Sequence, residues 1–359
     1  MNASTLLLQA LFARDAYLDA FSRDELRRII PILDAAHREV LGRIAETGGA
    51  WTKDWLAEIA AEIDAIYHAA QAKAYDEVAP DLTKLANDEG AWIAAETKQI
   101  AMGLTLSIPA PSLLSAVVNL PTNIGGSTLA QMFEGLGINA RTDAYAAIQA
   151  GMLEGDTVGQ MTRRLRGEVV KRASWKTEAD GVRRYQPGVY KGGAWDMNTR
   201  QAETLARTAV MHVGNQARDV FYGQNQDIIK GYQRVETLDL RTCLICGTDD
   251  GHVYAPDDMR PSLPVHPDCR GVYVPVLKSW QELGFDAAEI PPGTRASMDG
   301  QVAEFDTWTD MVRKADPKRL EEMLGPGRAA LYKQGVKLED MVKGGEIVPI
   351  KDLAGRFHP

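Results

Sequence analysis

Arg241-Thr242-Cys243-Leu244-Ile245-Cys246, followed after a Gly/Asp/Pro-rich loop by His266-Pro267-Asp268-Cys269-Arg270, holds every cysteine of the chain. The pattern is C-x2-C-x19-H-x2-C. Two close pairs of thiol and imidazole donors form the ligand set of a tetrahedral structural zinc site, here Cys243, Cys246, His266 and Cys269. Each pair reaches one ion through a tight turn, and Pro267 stiffens the second. Four protein donors leave no open coordination position, so the site reads as structural and not catalytic. Three ordinary buried thiols beside a loop histidine, with no metal, is the alternative.

The flanks of this stretch set the local fold. Gly231 to Leu238 alternates apolar and polar residues as a strand does, and Gly271-Val272-Tyr273-Val274-Pro275-Val276 is a second β-type run. A zinc ion would pin these two strands and the long loop between them. Upstream, the spacing of Leu205, Ala209, His212, Val213, Gln216, Val220 and Phe221 predicts a firm helix, capped at Thr199 and ended at Gly223. His212 lies on its apolar stripe and reads as a core histidine. Residues 175–197 are rich in Gly, basic and aromatic residues and read as a loop or hairpin.

Further upstream the chain is Ala-rich with few strand signals. Ser22-x-x-Glu25 has the form of a capping box before Leu26, Ile29, Ile30, Leu33, Leu41 and Ile44. Pro31 is expected to kink that helix or mark a second start, and Gly48-Gly49 to end it. Trp55, Leu56, Ile59, Ile63, Ile66 and Tyr67 mark a second helix, expected to stop at Pro80. His37 and His68 have no ligand partner at a telling spacing and read as packing or surface residues. The chargeless run from Lys98 to Glu134 is broken by Pro109, Pro111, Pro121 and Gly125-Gly126, so it is expected to form two short buried helices and no membrane span. Two short helices are expected from Thr142 to Val170, joined by a turn at Gly155-Asp156-Thr157. An amphipathic segment around Trp308, Met311 and Val312 opens the last part. The fold class is therefore α+β, mostly α. A helical N-terminal region (1–140) precedes a compact zinc-stapled α/β module (141–290) and a small C-terminal unit (291–359).

At 359 residues, 45% hydrophobic and 25% charged, the composition is that of an ordinary folded protein. Between Met161 and Arg234 stand fourteen Lys/Arg against seven Asp/Glu, a local +7 that leaves −16 on the rest of a chain of net charge −9. A basic middle between acidic arms would suit DNA phosphates or an acidic protein surface, and a solvated helix face explains it equally well. Its candidate contact residues are Arg163, Arg164, Arg166, Lys171, Arg172, Arg183 and Arg184. Three cysteines cannot close a disulfide framework, and Asn2-Ala3-Ser4-Thr5 lacks the basic start of a signal peptide, so a reducing cytoplasm is expected.

Catalytic patterns are missing from the sequence. A zinc deaminase needs H-x-E before P-C-x-x-C, whereas here the cysteine pair comes first and His266 precedes Pro267-Asp268. No thioredoxin-like βαβ pattern surrounds the C-x-x-C, and there is no G-x-x-x-x-G-K-[ST], G-x-S-x-G or H-E-x-x-H. Asp249, Asp250, Asp257 and Asp258 read as a solvated acidic loop.

Taken in order, Leu205-Ala206-Arg207-Thr208, Asn215-Gln216-Ala217-Arg218, Tyr222, Leu240-Arg241-Thr242-Cys243-x-x-Cys246, Asp250-Gly251 and His266-Pro267-x-Cys269-Arg270 resemble the phage head-morphogenesis family, the Mu F-like minor head (minor capsid) proteins. Leu324 to Tyr332, with Leu338-Glu339-Asp340, resembles the tail often found there. Many members continue the last motif as H-P-x-C-R-C, and Gly271 replaces that final cysteine. The resemblance implies a virion component, not an enzyme, placed at the portal vertex and acting in procapsid assembly, DNA packaging or DNA delivery. It implies portal, capsid or scaffold protein as partners, with packaged DNA as a further one, and no membrane or small-molecule substrate. The expected location is the phage head, and the host cytoplasm during assembly. Because the same module occurs beside toxin and transferase domains, a prophage-derived effector enzyme is one alternative. A zinc-dependent nucleic-acid-binding module is another.

Overall fold

A computed structural model describes residues 4–49, 51–100, 103–172, 174–177, 182–186, 189–286, 288 and 293–354. The fold is α+β and mostly α. Two long helices, α1 (Ser4–Glu46) and α2 (Lys53–Ile100), lead into α3 (Pro111–Ala116), α4 (Leu129–Glu154) and α5 (Val158–Arg166). Four short strands follow: β1 (Glu168–Lys171), β2 (Ser174–Thr177), β3 (Arg183–Gln186) and β4 (Val189–Lys191). Next come α6 (Ala194–Gln224), β5 (Ile229–Val235), α7 (Leu244–Asp249), β6 (Val253–Tyr254) and β7 (Val272–Leu277). The last part holds the hairpin β8 (Thr294–Ser297) and β9 (Gly300–Ala303), then α8 (Trp308–Lys314), α9 (Pro317–Leu324) and α10 (Pro326–Lys333). It ends with β10 (Val342–Lys343), β11 (Glu346–Ile347) and α11 (Ile350–Ala354). Among the described residues no helix is long and apolar enough to cross a membrane.

Several helix boundaries differ from the sequence reading, each for a physical reason. Helix α1 runs unbroken through Ser22 and Pro31. Ser22 is no cap, because its hydroxyl donates to the Asp19 carbonyl at 2.8 Å inside the helix. Helix α2 likewise continues through Pro80. An internal proline costs about 3 kcal/mol, but buried Ile29 and Leu33 flank the first, and buried Val78, Leu82 and Leu85 the second. Packing on both sides holds each helix together. Helix α4 begins at Leu129, well before Thr142. Thr128 caps it with a reciprocal bond to Gln131, a capping box hidden in the chargeless run. Between α2 and α4 the described residues of that run form α3 and a 3-10 turn (Val117–Asn119). Thr157 caps α5 in the same way, after the expected turn. Helix α6 starts five residues before Thr199, where Trp195 is buried.

By contacts the chain forms two compact units, each built from separated segments. One contains 18–86 and 115–213, the other 1–17, 87–114 and 214–359. The first unit's core joins Val40, Ile44, Ile59, Ile63, Tyr67, Ile148, Met161, Leu165 and Trp195. His37 is part of that packing. Its ring stacks on Trp195 with centroids 4.4 Å apart, and burial pushes its pKa down to about 3. His68 is exposed, as expected. His212 is fully buried, as a core histidine should be.

The second unit is organised by the antiparallel sheet β6-β5-β7, in which Arg234 opposes Tyr273 and Val235 opposes Val272. A second cluster, centred on Trp308, Leu320, Leu324, Leu331 and Met341, packs against Leu238 and Leu244. Segments far apart in sequence are tied by buried charge. Glu89 accepts from Arg218 Nε at 2.7 Å and from Arg14 Nε at 2.8 Å, and both Glu89 and Arg218 are sealed from solvent.

Candidate metal centre

Three local structures bring the donors together. Cys243 is the N-cap residue of α7, and Cys246 lies one turn inside it. A short helix thus replaces a simple turn, and it aims both sulfurs to one side. His266 and Cys269 come from the loop before β7. There the Cys269 amide donates to the His266 carbonyl at 3.2 Å, and Asp268 adopts φ 60°, closing a tight reverse turn. His266 Nε2 lies 3.1 Å from Cys243 Sγ and 3.0 Å from Cys246 Sγ, and Cys246 Sγ lies 3.7 Å from Cys269 Sγ. His266 Nδ1 is 2.7 Å from the Pro267 carbonyl, which leaves Nε2 as the nitrogen facing the sulfurs.

Cys243, Cys246 and His266 form one donor triad, and Cys269 joins it through Cys246. Two sulfurs each about 2.3 Å from a zinc at the tetrahedral angle are about 3.8 Å apart, against 3.7 Å here. The nitrogen–sulfur separations are somewhat tighter than that geometry. Cys246 and Cys269 are buried and Cys243 and His266 half-buried. The four groups can therefore hold a metal ion. Sharing protons among themselves, they polarise strongly. A hydrogen bond with Cys246 holds the Cys243 thiol down to about 4. Its bond to Cys243 raises His266 to about 9. Cys269 is held to about 5 by its bond with Cys246, with Arg234 adding to the effect, while Cys246 is pushed far up. A divalent cation would take the place of those protons.

Residues that the sequence reading passed over complete the site. Arg234, on β5, donates through Nη2 to Cys246 Sγ at 3.5 Å and to Cys269 Sγ at 3.6 Å. Its Nε donates to Glu236 at 2.7 Å, and both members of this pair are buried. Three thiolates and a neutral imidazole around a divalent ion would carry a net −1, and Arg234, which also pairs with Glu236, faces two of those sulfurs. Glu236 lies close enough to Cys246 and Cys269 to form a second donor triad with them, and burial raises its pKa to about 8. The one signal in the sequence was a pair of opposite charges two residues apart in a strand, which places both on one face.

The remaining motif residues hold the donor segments in place. Arg270 grips Asp239 through two bonds of 2.7 Å, and Asp239 also accepts from the amides of Arg241 and Thr242. That clamp ties the histidine loop to the segment entering α7. Asp250 is not part of a solvated acidic loop: it is buried and accepts from the amides of Glu236 and Trp308 and from Arg295. Asp249 accepts from the Tyr254 hydroxyl, whereas Asp257 and Asp258 are exposed. Gly247 leaves room for the Trp308 ring, which a Cβ there would overlap.

The basic candidates separate into two groups. Arg164 is engaged by Asp156 and Glu154 at the start of α5, and Arg166 is half-buried, while Arg163 is exposed. Lys171, Arg172 and Arg183 are exposed on the β1–β4 segment. Arg184 lies in β3, and its side chain falls outside the described structure. Comparison with protein-family models, curated proteins and solved structures finds no match to this chain.

Proposed function

We propose that this protein is a minor head component of a tailed phage or prophage, built around a structural zinc ion held by Cys243, Cys246, His266 and Cys269. Its role is to join portal, capsid or scaffold protein during procapsid assembly, packaging or delivery, and it turns over no substrate. The observation that carries the reading is the convergence of the motif residues. RT, CxxC, DG and HPxCR, scattered over about thirty residues of sequence, come together as candidate donors and the clamp and staple that hold their segments. A site whose donors are all protein groups suits a scaffold and not a reaction centre.

Two measurements test this. Elemental analysis of the folded protein should find one zinc per chain, and Cys246→Ser should lower bound zinc and melting temperature together. Unchanged stability in that variant removes the structural role of the metal. Particles from an induced lysogen should contain the chain, or the chain should co-purify with a portal ring. Its absence from procapsids, virions and portal complexes alike refutes the head assignment.

A further inference from the structure

Residues 168–191 leave the first unit as an arm. β1 pairs with β4 and β2 with β3, both antiparallel, so the chain runs out and back as nested ladders. The base is a backbone pinch. A Cβ on Gly167 would lie 2.7 Å from the Gly193 amide nitrogen, and one on Gly193 would lie 2.7 Å from the Leu165 carbonyl. Only two glycines allow the strands to leave and return so close together. Every residue of β1 and β2 is exposed. An isolated two-stranded ribbon is marginal in water, and the exposed residues of β1 and β2 serve something other than a core.

That sequence is cationic. Lys171, Arg172, Lys176, Arg183, Arg184 and Lys191 stand against Glu168, Glu178 and Asp180, a local +3 on a chain of −9. Lys176 is register-paired with Arg184. Arg183 is register-paired with Thr177, so Arg183 and Lys176 project from opposite faces. Cations on both faces suit a partner that surrounds the ribbon, whereas a protein surface meets one face only. Trp175 is 59% exposed, with the Arg183 guanidinium 5.6 Å from its ring centroid. An aromatic plane beside a cation is a common element of nucleic-acid contact.

We infer that this arm binds double-stranded DNA, entering a groove as a two-stranded ribbon with Lys171, Arg172, Lys176 and Arg183 on phosphates. The inference stands on the arm alone and does not require the head-assembly reading. The test uses the full chain and a labelled duplex of about thirty base pairs. Binding should be measurable at about 50 mM salt, with log K falling linearly against log salt. Each phosphate contact contributes about 0.9 to that slope. Replacing the four cations together (K171Q, R172Q, K176Q, R183Q) should therefore flatten the slope by about 3 to 4 and weaken binding at least about tenfold. A second variant, with 168–191 replaced by a short Gly/Ser link across the pinch, should keep the parent melting temperature and bind as weakly. Absence of binding by the parent chain at low salt overturns the inference, as does an unchanged slope in the fourfold variant. Polyglutamate displacing the duplex at equal charge concentration would assign the arm to an acidic protein instead.

Discussion

Gly271→Ala tests whether the metal centre and the buried Arg234–Glu236 pair are one object. Gly271 is not among the residues of positive φ, so its backbone tolerates a side chain and only space forbids one. A Cβ at that position would overlap Glu236 Oε1 and Arg234 Nη2 and lie 2.7 Å from Arg234 Cζ. The ends of flexible side chains normally swing aside at little cost. Here the two side chains are 1% and 2% exposed, and Arg234 also donates to Cys246 and Cys269. Neither can move without breaking the pair, and a broken buried pair costs about 3–5 kcal/mol. Partial relaxation places the expected loss near the lower bound, about 3 kcal/mol. With an unfolding entropy of about 2.1 cal/mol/K per residue, a 359-residue chain should melt about 4 °C lower.

Calorimetry reads that shift, and a chromophoric chelator reads metal release, which should begin at lower chelator concentration than in the parent. The same substitution in an Arg234→Met, Glu236→Leu background should cost less than about 1 kcal/mol, since the obstructing charges are gone. Gly271→Ala melting within about a degree of the parent refutes the reasoning: the pair would then be free to yield, and the space at Gly271 would have no structural meaning.

Three further outcomes follow from buried charge. His37 titrates near 3 when folded and near 6.5 when unfolded, so the unfolded chain binds more protons between those values. Its contribution to stability is whole above about pH 6.5 and declines as pH falls toward 3, by at most about 1.4 kcal/mol per pH unit; His37→Gln should flatten the pH dependence of urea unfolding over that window, and an identical slope counts against it. Asp250→Ala leaves Arg295 buried without its carboxylate and two amides without an acceptor, for a loss of about 3–5 kcal/mol; a loss below about 1 kcal/mol in denaturant titration would show that the Asp250 staple is dispensable. Glu89→Gln keeps the shape but removes the charge facing Arg14 and Arg218, and should cost about 3 kcal/mol by the same assay, with parent-like stability as the contrary result.

The residues legible in the sequence were those whose chemistry is rare and whose spacing is short. Cys243-x-x-Cys246 and His266-x-x-Cys269 point to a metal-binding cluster because few other uses require that pairing, and their donors do cluster, in two triads that share Cys246. Alternation from Gly231 to Leu238 and the β-type run from Gly271 to Val276 marked two strands that indeed pair, as Ile229–Val235 and Val272–Leu277. Helix type was equally plain, but helix ends were not. Pro31, Pro80 and Ser22 are local signals, and packing from distant segments outweighed all three. Arg234, Glu236 and Asp250 were missed for a related reason. An isolated charge in a strand or loop looks solvated until the residues that bury it are known, and those residues lie as far away as Arg295 and Trp308.

This division bears on where recognition resides. The cysteines, Asp250, Arg270 and Thr242 are engaged by neighbouring groups of the same unit. Side chains so employed have little left to offer a partner. A motif of this kind specifies that a module folds, and it leaves unspecified what the module touches. Contact chemistry has to come from residues that the core does not use, and these are the ones a motif search ignores. The 168–191 arm is such a segment: it has no buried face in β1 or β2, its charge opposes that of the chain, and two glycines hold its base. Substitutions in the centre should therefore change stability and metal content together, whereas substitutions in the arm should change binding while leaving the melting temperature in place.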